Sequence, residues 1–265
     1  MFKTNLTDAS DTHKITDRLG VFSVIEYEKD ISISPSEAET AYFASKMNIR
    51  KKQLIANLSE NRGVVVQAGS MQMMLGNVVV DTNVTGAGDL MKKFVGSKVT
   101  GESTIKPRYV GEGMIVLEPT FMYIVLANLN DWGQSMIIED GMFLACEDSV
   151  DMKITSRTNV SSAVLGREGL FNTLLFGEGV VALESPVPAE ELIVVDLTDD
   201  TIKIDGNMAI AWSSTLEFSV ERTTKTLIGS AASGEGFVNV FRGTGRILIA
   251  PIAENRGIDV PKVNH

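Results

Sequence analysis

The sequence predicts an all-β protein: three tandem β-sandwich-like repeats around a pseudo-threefold axis, with one or two short helices. Three observations carry this. The stretch Gly177-Glu178-Gly179-Val180-Val181-Ala182-Leu183 has two counterparts, Gly111-Glu112-Gly113-Met114-Ile115-Val116-Leu117 and Gly243-Thr244-Gly245-Arg246-Ile247-Leu248-Ile249. The leading glycines follow one another at equal intervals, and each copy runs into a proline context at Pro119, Pro186 and Pro251. A period held over two successive intervals marks internal repetition. Between the copies, β-branched and apolar runs bounded by Asp, Asn and Gly recur in the same order, which is the signature of strands and hairpins.

Taken in order, the chain opens with an N-terminal arm over residues 1–45. Residues 1–20 are polar and unpatterned and are expected to be mobile. Val21-Phe22-Ser23-Val24-Ile25 reads as a strand. Ser34-Pro35-Ser36-Glu37 reads as a helix start, with Ser34 as cap and Pro35 at the first helical position, and the helix should end near Ser45.

The first repeat, 46–118, offers strands over Gln53–Leu58 and Val64–Gly69, with a turn between Ser59 and Gly63. The second, 119–185, answers with Tyr123–Leu129 and Gly141–Cys146, and the third, 186–252, with Leu192–Leu197 and Gly206–Trp212. Asp140-Gly141 and Asp205-Gly206 stand at corresponding turns, where glycine can take positive φ. A second matching feature precedes the glycine pairs at Glu168-Gly169-Leu170-Phe171 and Glu235-Gly236-Phe237-Val238, with Gly101-Glu102-Ser103 as a degenerate copy. The first repeat carries an insert, Gly86 to Val95, which reads as a loop followed by about two turns of helix. At about 66 residues, each unit exceeds the usual solenoid period and should be a small multi-stranded body. Three of them closed around an axis would leave few free strand edges. Residues 253–265 form a C-terminal tail.

Composition sets the outer bounds. A chain of 265 residues that is 44% hydrophobic and 22% charged is globular and long enough to bury a core. Its net charge of −10 argues against a broad nucleic-acid or anionic-membrane surface, so nucleic acid is not an expected partner. The one cysteine, Cys146, can form no intrachain disulfide, which suits a reducing compartment. No apolar run approaches the length of a transmembrane segment, and the N-terminus lacks a signal-peptide core, so a cytoplasmic location is expected.

Candidate chemistry is sparse. The two histidines, His13 and His265, sit in the arm and at the last position, which leaves a Ser-His-Asp triad or a His/Cys zinc site without its histidines. Cys146 lies on an expected buried strand and reads as a small core hydrophobe. The Gly-x-Gly pairs precede strands, whereas a dinucleotide fingerprint needs them between strand and helix. Gly111, Gly113, Gly177, Gly179, Gly243 and Gly245 are therefore read as structural turn or bulge positions. Glu147, Asp148 and Asp151, and the cluster Asp196, Asp199, Asp200 and Asp205, read as solvated loop acids. Glu112, Glu147 and Glu178 would be paired carboxylates only if the repeats converge, which keeps a weak cation site open. Arg50-Lys51-Lys52 reads as a solvated edge strand, with RNA contact as the alternative. Met71, Met73 and Met74 alternate on a strand and read as core filler.

The triple Gly-x-Gly-x-apolar strand, the Ala68-Gly69-Ser70-Met71 turn, the glycine-rich insert and Gly206 to Trp212 together resemble the altered inheritance of mitochondria protein 24 family, over roughly residues 46–252. The resemblance implies a fold similar to the tryptophan RNA-binding attenuation protein, with three β units in one chain. Bacterial members of that family have no established biochemical activity. The yeast protein that names it is mitochondrial and linked to inner-membrane organisation. The resemblance implies no catalytic residue, and this chain lacks the threefold basic positions that RNA binding of that kind would need.

The function expected on these grounds is a non-enzymatic, self-associating β protein, a scaffold or binding module. It should work without cofactor or metal, as a homo-oligomer (a trimer above all) with an unidentified protein partner. The alternatives are an enzyme or accessory protein with a carboxylate cation site, and an RNA-binding protein.

Overall fold

The computed structural model describes residues 2–81, 106–156, 171–206, 208–222 and 237–251. The insert read as loop and helix at 86–95, residues 101–103, 168–170 and 235–236, His265 and the tail lie outside them. The protein is all-β, with two antiparallel sheets curled into barrel-like shapes. The first part of the chain supplies β1 (His13–Leu19), β2 (Phe22–Tyr27), the helix α1 (Ala38–Lys46), β3 (Lys52–Leu58), β4 (Val64–Val66), β5 (Met71–Asp81) and β6 (Arg108–Leu117). Then come β7 (Tyr123–Asn128), β8 (Ser135–Ile138), β9 (Phe143–Glu147), β10 (Val150–Ser156), β11 (Phe171–Gly177) and β12 (Val180–Ser185). The last are β13 (Ile193–Asp205), β14 (Ala209–Ser213), β15 (Glu217–Arg222) and β16 (Phe237–Ile249).

Nine strands form one sheet in the order β1-β2-β3-β6-β4-β9-β12-β7, with β5 also on β6. Seven form the other, β10-β11-β8-β14-β16-β13, with β15 also on β16. The middle of the chain is shared between them: β7, β9 and β12 belong to the first, β8, β10 and β11 to the second. One hydrophobic cluster accordingly joins residues of both, among them Met136 and Leu175 from the second sheet and Cys146 and Val181 from the first. Another is aromatic, with Trp212 and Phe241 at 5.2 Å between ring centroids and Phe218 at 5.1 Å from Phe241.

Register repeats along the chain. β5 skips Gln72 against β6, β9 skips Leu144 against β12, and β14 skips Ile210 against β16. Each bulge puts an extra residue into one strand and bends it over the sheet beneath. Beyond Gly113 and Gly245 the long strands β6 and β16 pair with Leu58 to Ile55 and Leu197 to Ile193, while β12 pairs with Asn128 to Tyr123. The turn glycines Gly141 and Gly206 take φ of 82° and 66°, as their Asp-Gly pairs predict.

Several expectations fail for physical reasons. Part of the first twenty residues is ordered: β1 forms a hairpin with β2, itself paired with β3, so that the arm extends the first sheet. The helix starts three residues after Pro35. Glu37 donates its N–H to Ser34 O at 3.0 Å and accepts from Ser34 Oγ, so Ser34 closes a turn instead of capping α1. No residue of α1 is buried, and Tyr42 and Phe43 stand exposed. Met73 and Met74 are 38% and 41% exposed, not core filler, because β5 pairs on one side only among the described strands. The cluster Asp196, Asp199, Asp200 and Asp205, read as loop acids, lies on a strand instead: β13 runs through it, with a bulge between Leu197 and Asp200 where Asp199 takes φ of 50°.

Candidate functional site

The six glycines of the tripled stretch occupy places where strands cross or change partners. Gly111, Gly177 and Gly243 share one backbone conformation, with φ of 118°, 109° and 115°. Side chains rarely adopt it, so glycine is the residue that fits there. Before Gly111, β6 faces β4 at Tyr109 and Val64, and from Gly113 it faces β3. At Gly177 the chain leaves the second sheet and enters the first as β12. The surroundings differ in tightness. A Cβ on Gly111 would lie 2.1 Å from Asn77 O, one on Gly177 3.0 Å from Ser149 O, and one on Gly243 3.7 Å from Thr215 O. The second glycines are also crowded: Gly113 against Leu75 O at 2.0 Å, Gly179 against Ser149 Oγ at 2.8 Å, Gly245 against Ser213 Cβ at 2.9 Å.

The acids expected to be solvated have separate tasks. Glu147 holds two parts of the first sheet together, with Val21 N–H donating to Oε1 at 3.1 Å and Val180 N–H to Oε2 at 3.0 Å. Glu178 stays on the surface and accepts from Gln134 Nε2 at 3.2 Å, and Glu112 pairs in register with Asn77 on β5. Asp148 takes the Arg108 guanidinium at 2.6 Å, and Asp196 takes that of Arg246 at 2.7 Å. The three glutamates are thus not drawn into one site. Among the described residues no group of three or more His, Cys, Asp or Glu is placed to hold a metal ion.

Arg50-Lys51-Lys52 is not a free edge. Lys52 opens β3, an inner strand between β2 and β6, and is buried. Its Nζ lies 4.1 Å from the Tyr123 ring centroid and 3.8 Å from Glu26 Oε2, and burial draws its pKa below the ordinary lysine value. Arg50 Nη1 reaches Glu28 Oε2 at 3.2 Å and Lys51 Nζ reaches Asp30 Oδ2 at 2.5 Å. Three acids thus neutralise the run that RNA would need. Cys146 is fully buried, and desolvation pushes its thiol up to about 12, away from nucleophilic use. His13 lies on β1 with Nδ1 3.1 Å from Ser10 Oγ and Thr12 Oγ1, and its ring stands 6.1 Å from Tyr27. The first sheet also carries a cleft of about 500 Å3 walled by Ile15, Arg18, Phe22, Asn57, Arg62 and Met114.

Sequence reasoning missed the Glu147 bridge and the buried Lys52. The signal for Lys52 was local, since Glu26 faces it in register from the adjoining strand. Glu147 had none, because Val21 lies more than a hundred residues away.

The family model for mitochondrial biogenesis AIM24 matches residues 46–252. An uncharacterised protein of Streptococcus pyogenes serotype M6 is 31% identical over 201 residues, spanning 73% of this chain and 78% of that protein. A crystal structure of a Streptococcus pyogenes protein is similar in fold, with a TM-score of 0.57 and 28% identity, over 77% of this chain and 89% of the other.

Proposed function

The chain belongs to the mitochondrial biogenesis AIM24 family, and on that premise we propose that it is a non-enzymatic, self-associating β-repeat protein, a scaffold or binding module for a protein partner. Its body is three tandem units arranged about a pseudo-threefold axis, left open between the third unit and the first, where β13 and β5 do not pair among the described residues. The observation that carries this is the shared conformation of Gly111, Gly177 and Gly243, with φ of 118°, 109° and 115°. The bulges at Gln72, Leu144 and Ile210 support it independently, because each lies on the neighbouring strand opposite the same two positions past its own glycine, Val116 and Leu117, Ala182 and Leu183, and Leu248 and Ile249.

The placement of polar groups supports a structural role. Glu147 holds backbone N–H groups, Lys52 and Arg50 are matched by glutamates, and the one thiol is buried. The acidic balance and buried thiol suit work in a reducing cytoplasm. Among the described residues no helix is long and apolar enough to cross a membrane.

Closed symmetric assembly is the common outcome for such proteins, and a trimer is the expected state. Multi-angle light scattering across the micromolar range should return the trimer mass. A monomer throughout that range overturns self-association.

A further inference from the structure

Two strand edges that are unpaired among the described residues match each other. The chain twice makes the same joint, in which a strand lying beside one glycine strand pairs with the bulged strand beside the next. In the first joint β4 meets β9 through Val65 and Cys146, and in the second β8 meets β14 through Ile137 and Trp212.

The register is identical in the two. Val65 faces Arg108, three residues before Gly111, and Ile137 faces Leu174, three before Gly177. Cys146 faces Val181, four residues past Gly177, and Trp212 faces Ile247, four past Gly243. The same rule leaves one strand of each kind over. Lys203 on β13 faces Val240, three before Gly243, and Met74 on β5 faces Ile115, four past Gly111. Among the described residues β13 pairs only with β16, and β5 only with β6.

Exposure fits a joint left open. Cys146 and Trp212 are buried within theirs, at 0% and 1%, whereas Met73 and Met74 on β5 are 38% and 41% exposed. An edge of this kind has unpaired backbone donors and acceptors and is a template for another strand.

We propose that β13 of one copy of this chain pairs antiparallel with β5 of a second copy, with Lys203 opposite Met74, Ile204 opposite Met73 and Ile202 opposite Leu75. The occupant is a second copy because the geometry of the joint is already built twice into the chain, so both halves of a third are present on every molecule. Within one chain the two strands belong to different sheets and do not pair with each other. The contact is head-to-tail, so it continues from copy to copy and closes into a ring where its rotation brings the last copy back to the first. It is β-strand addition, with backbone hydrogen bonds supplying the attraction and the apolar residues of both edges supplying the register. Lys203 lays its aliphatic stem along Met74 while its ammonium stays with Glu221, 4.0 Å away.

The inference rests on the self-association reading, and disulfide trapping separates the two. One chain carries Met74→Cys and another Lys203→Cys, and directly opposed cysteines in antiparallel strands are close enough to bridge. The native Cys146 is buried, and the unsubstituted chain serves as the control. Mild oxidation of the mixed variants should give a disulfide-linked dimer. Replacing Met74→Cys with Val80→Cys, on the same strand but out of register, should lose it. A chain carrying both cysteines should form a ladder of dimers and larger species. If it instead links only to itself, the second copy is the wrong occupant. If mixing gives no dimer while light scattering still finds an oligomer, the joint is wrong and self-association stands. A monomer by scattering overturns both. Met73→Glu with Met74→Glu, two changes on an exposed strand, should leave the melting temperature near that of the unsubstituted chain and convert the oligomer to monomer.

Discussion

At Gly111 and Gly243 the same backbone angle meets different neighbours, and the two effects come apart. Both residues carry the cost of positive φ for any residue with a Cβ, on the order of 1–3 kcal/mol. Only at Gly111 does the Cβ also collide with a carbonyl, Asn77 O at 2.1 Å, within a paired strand that has no room to yield. Gly111→Ala is therefore expected to lower the melting temperature more than Gly243→Ala, with Gly177→Ala between them, and thermal melts of the three rank them. Equal losses would mean that φ alone matters. Glu178→Gln should change stability by no more than about 0.5 kcal/mol, since its carboxylate sits on the surface. Glu184 behaves differently. Burial raises its pKa above the ordinary carboxyl value, and Thr120 opposes the shift only in part. A raised carboxyl pKa adds stability at low pH and loses it as pH rises past the ordinary value of 4.5 toward the folded one. Glu184→Gln should thus melt higher than the parent at neutral pH, with the gain shrinking below pH 4.5. A gain that is independent of pH would assign the effect to packing.

The elements show how much of a strand's meaning lies beyond its own residues. The glycine strands were legible because positive φ is a local demand and glycine answers it wherever it arises. The Asp-Gly turns at 141 and 206 were legible for the same reason. The alternation of Met71 to Met74 gave a strand correctly and the packing of Met71 against the core, but the burial of Met73 and Met74 wrongly, since a period of two says that there are two faces and not what covers them. β13 runs on through Asp199 and Asp200 because its long partner β16 supplies ladder bonds on both sides of a bulge, where a turn would leave that edge unpaired. β1 was hidden because its polar residues bury little, and it is held by the hairpin with β2. Glu147 fixes that hairpin to β12 by accepting from Val21 and Val180. Hydrogen bonds to a charged acceptor are each worth about 1.5–3 kcal/mol, so Glu147→Ala should be clearly destabilising. Amide hydrogen exchange should quicken first at Val21 and Val180. Unchanged protection at both would show that the hairpin is held by its ladder alone.

For the whole molecule, the sequence by itself determined the all-β class, the place of the strand junctions and the membership in a family with a tripled stretch. Each of these depends on short-range chemistry: β-branched runs, turn residues and glycines at fixed spacing, which act before the chain has closed on itself. Only the tertiary structure decided that the middle of the chain would be divided between two sheets, that the basic run would be neutralised by Glu26, Glu28 and Asp30, and that β5 and β13 would each pair on one side only among the described strands. Those outcomes depend on which strands meet across long stretches of chain. Many pairings of equally apolar strands satisfy the same local pattern, and the choice among them is made by packing and backbone pairing together.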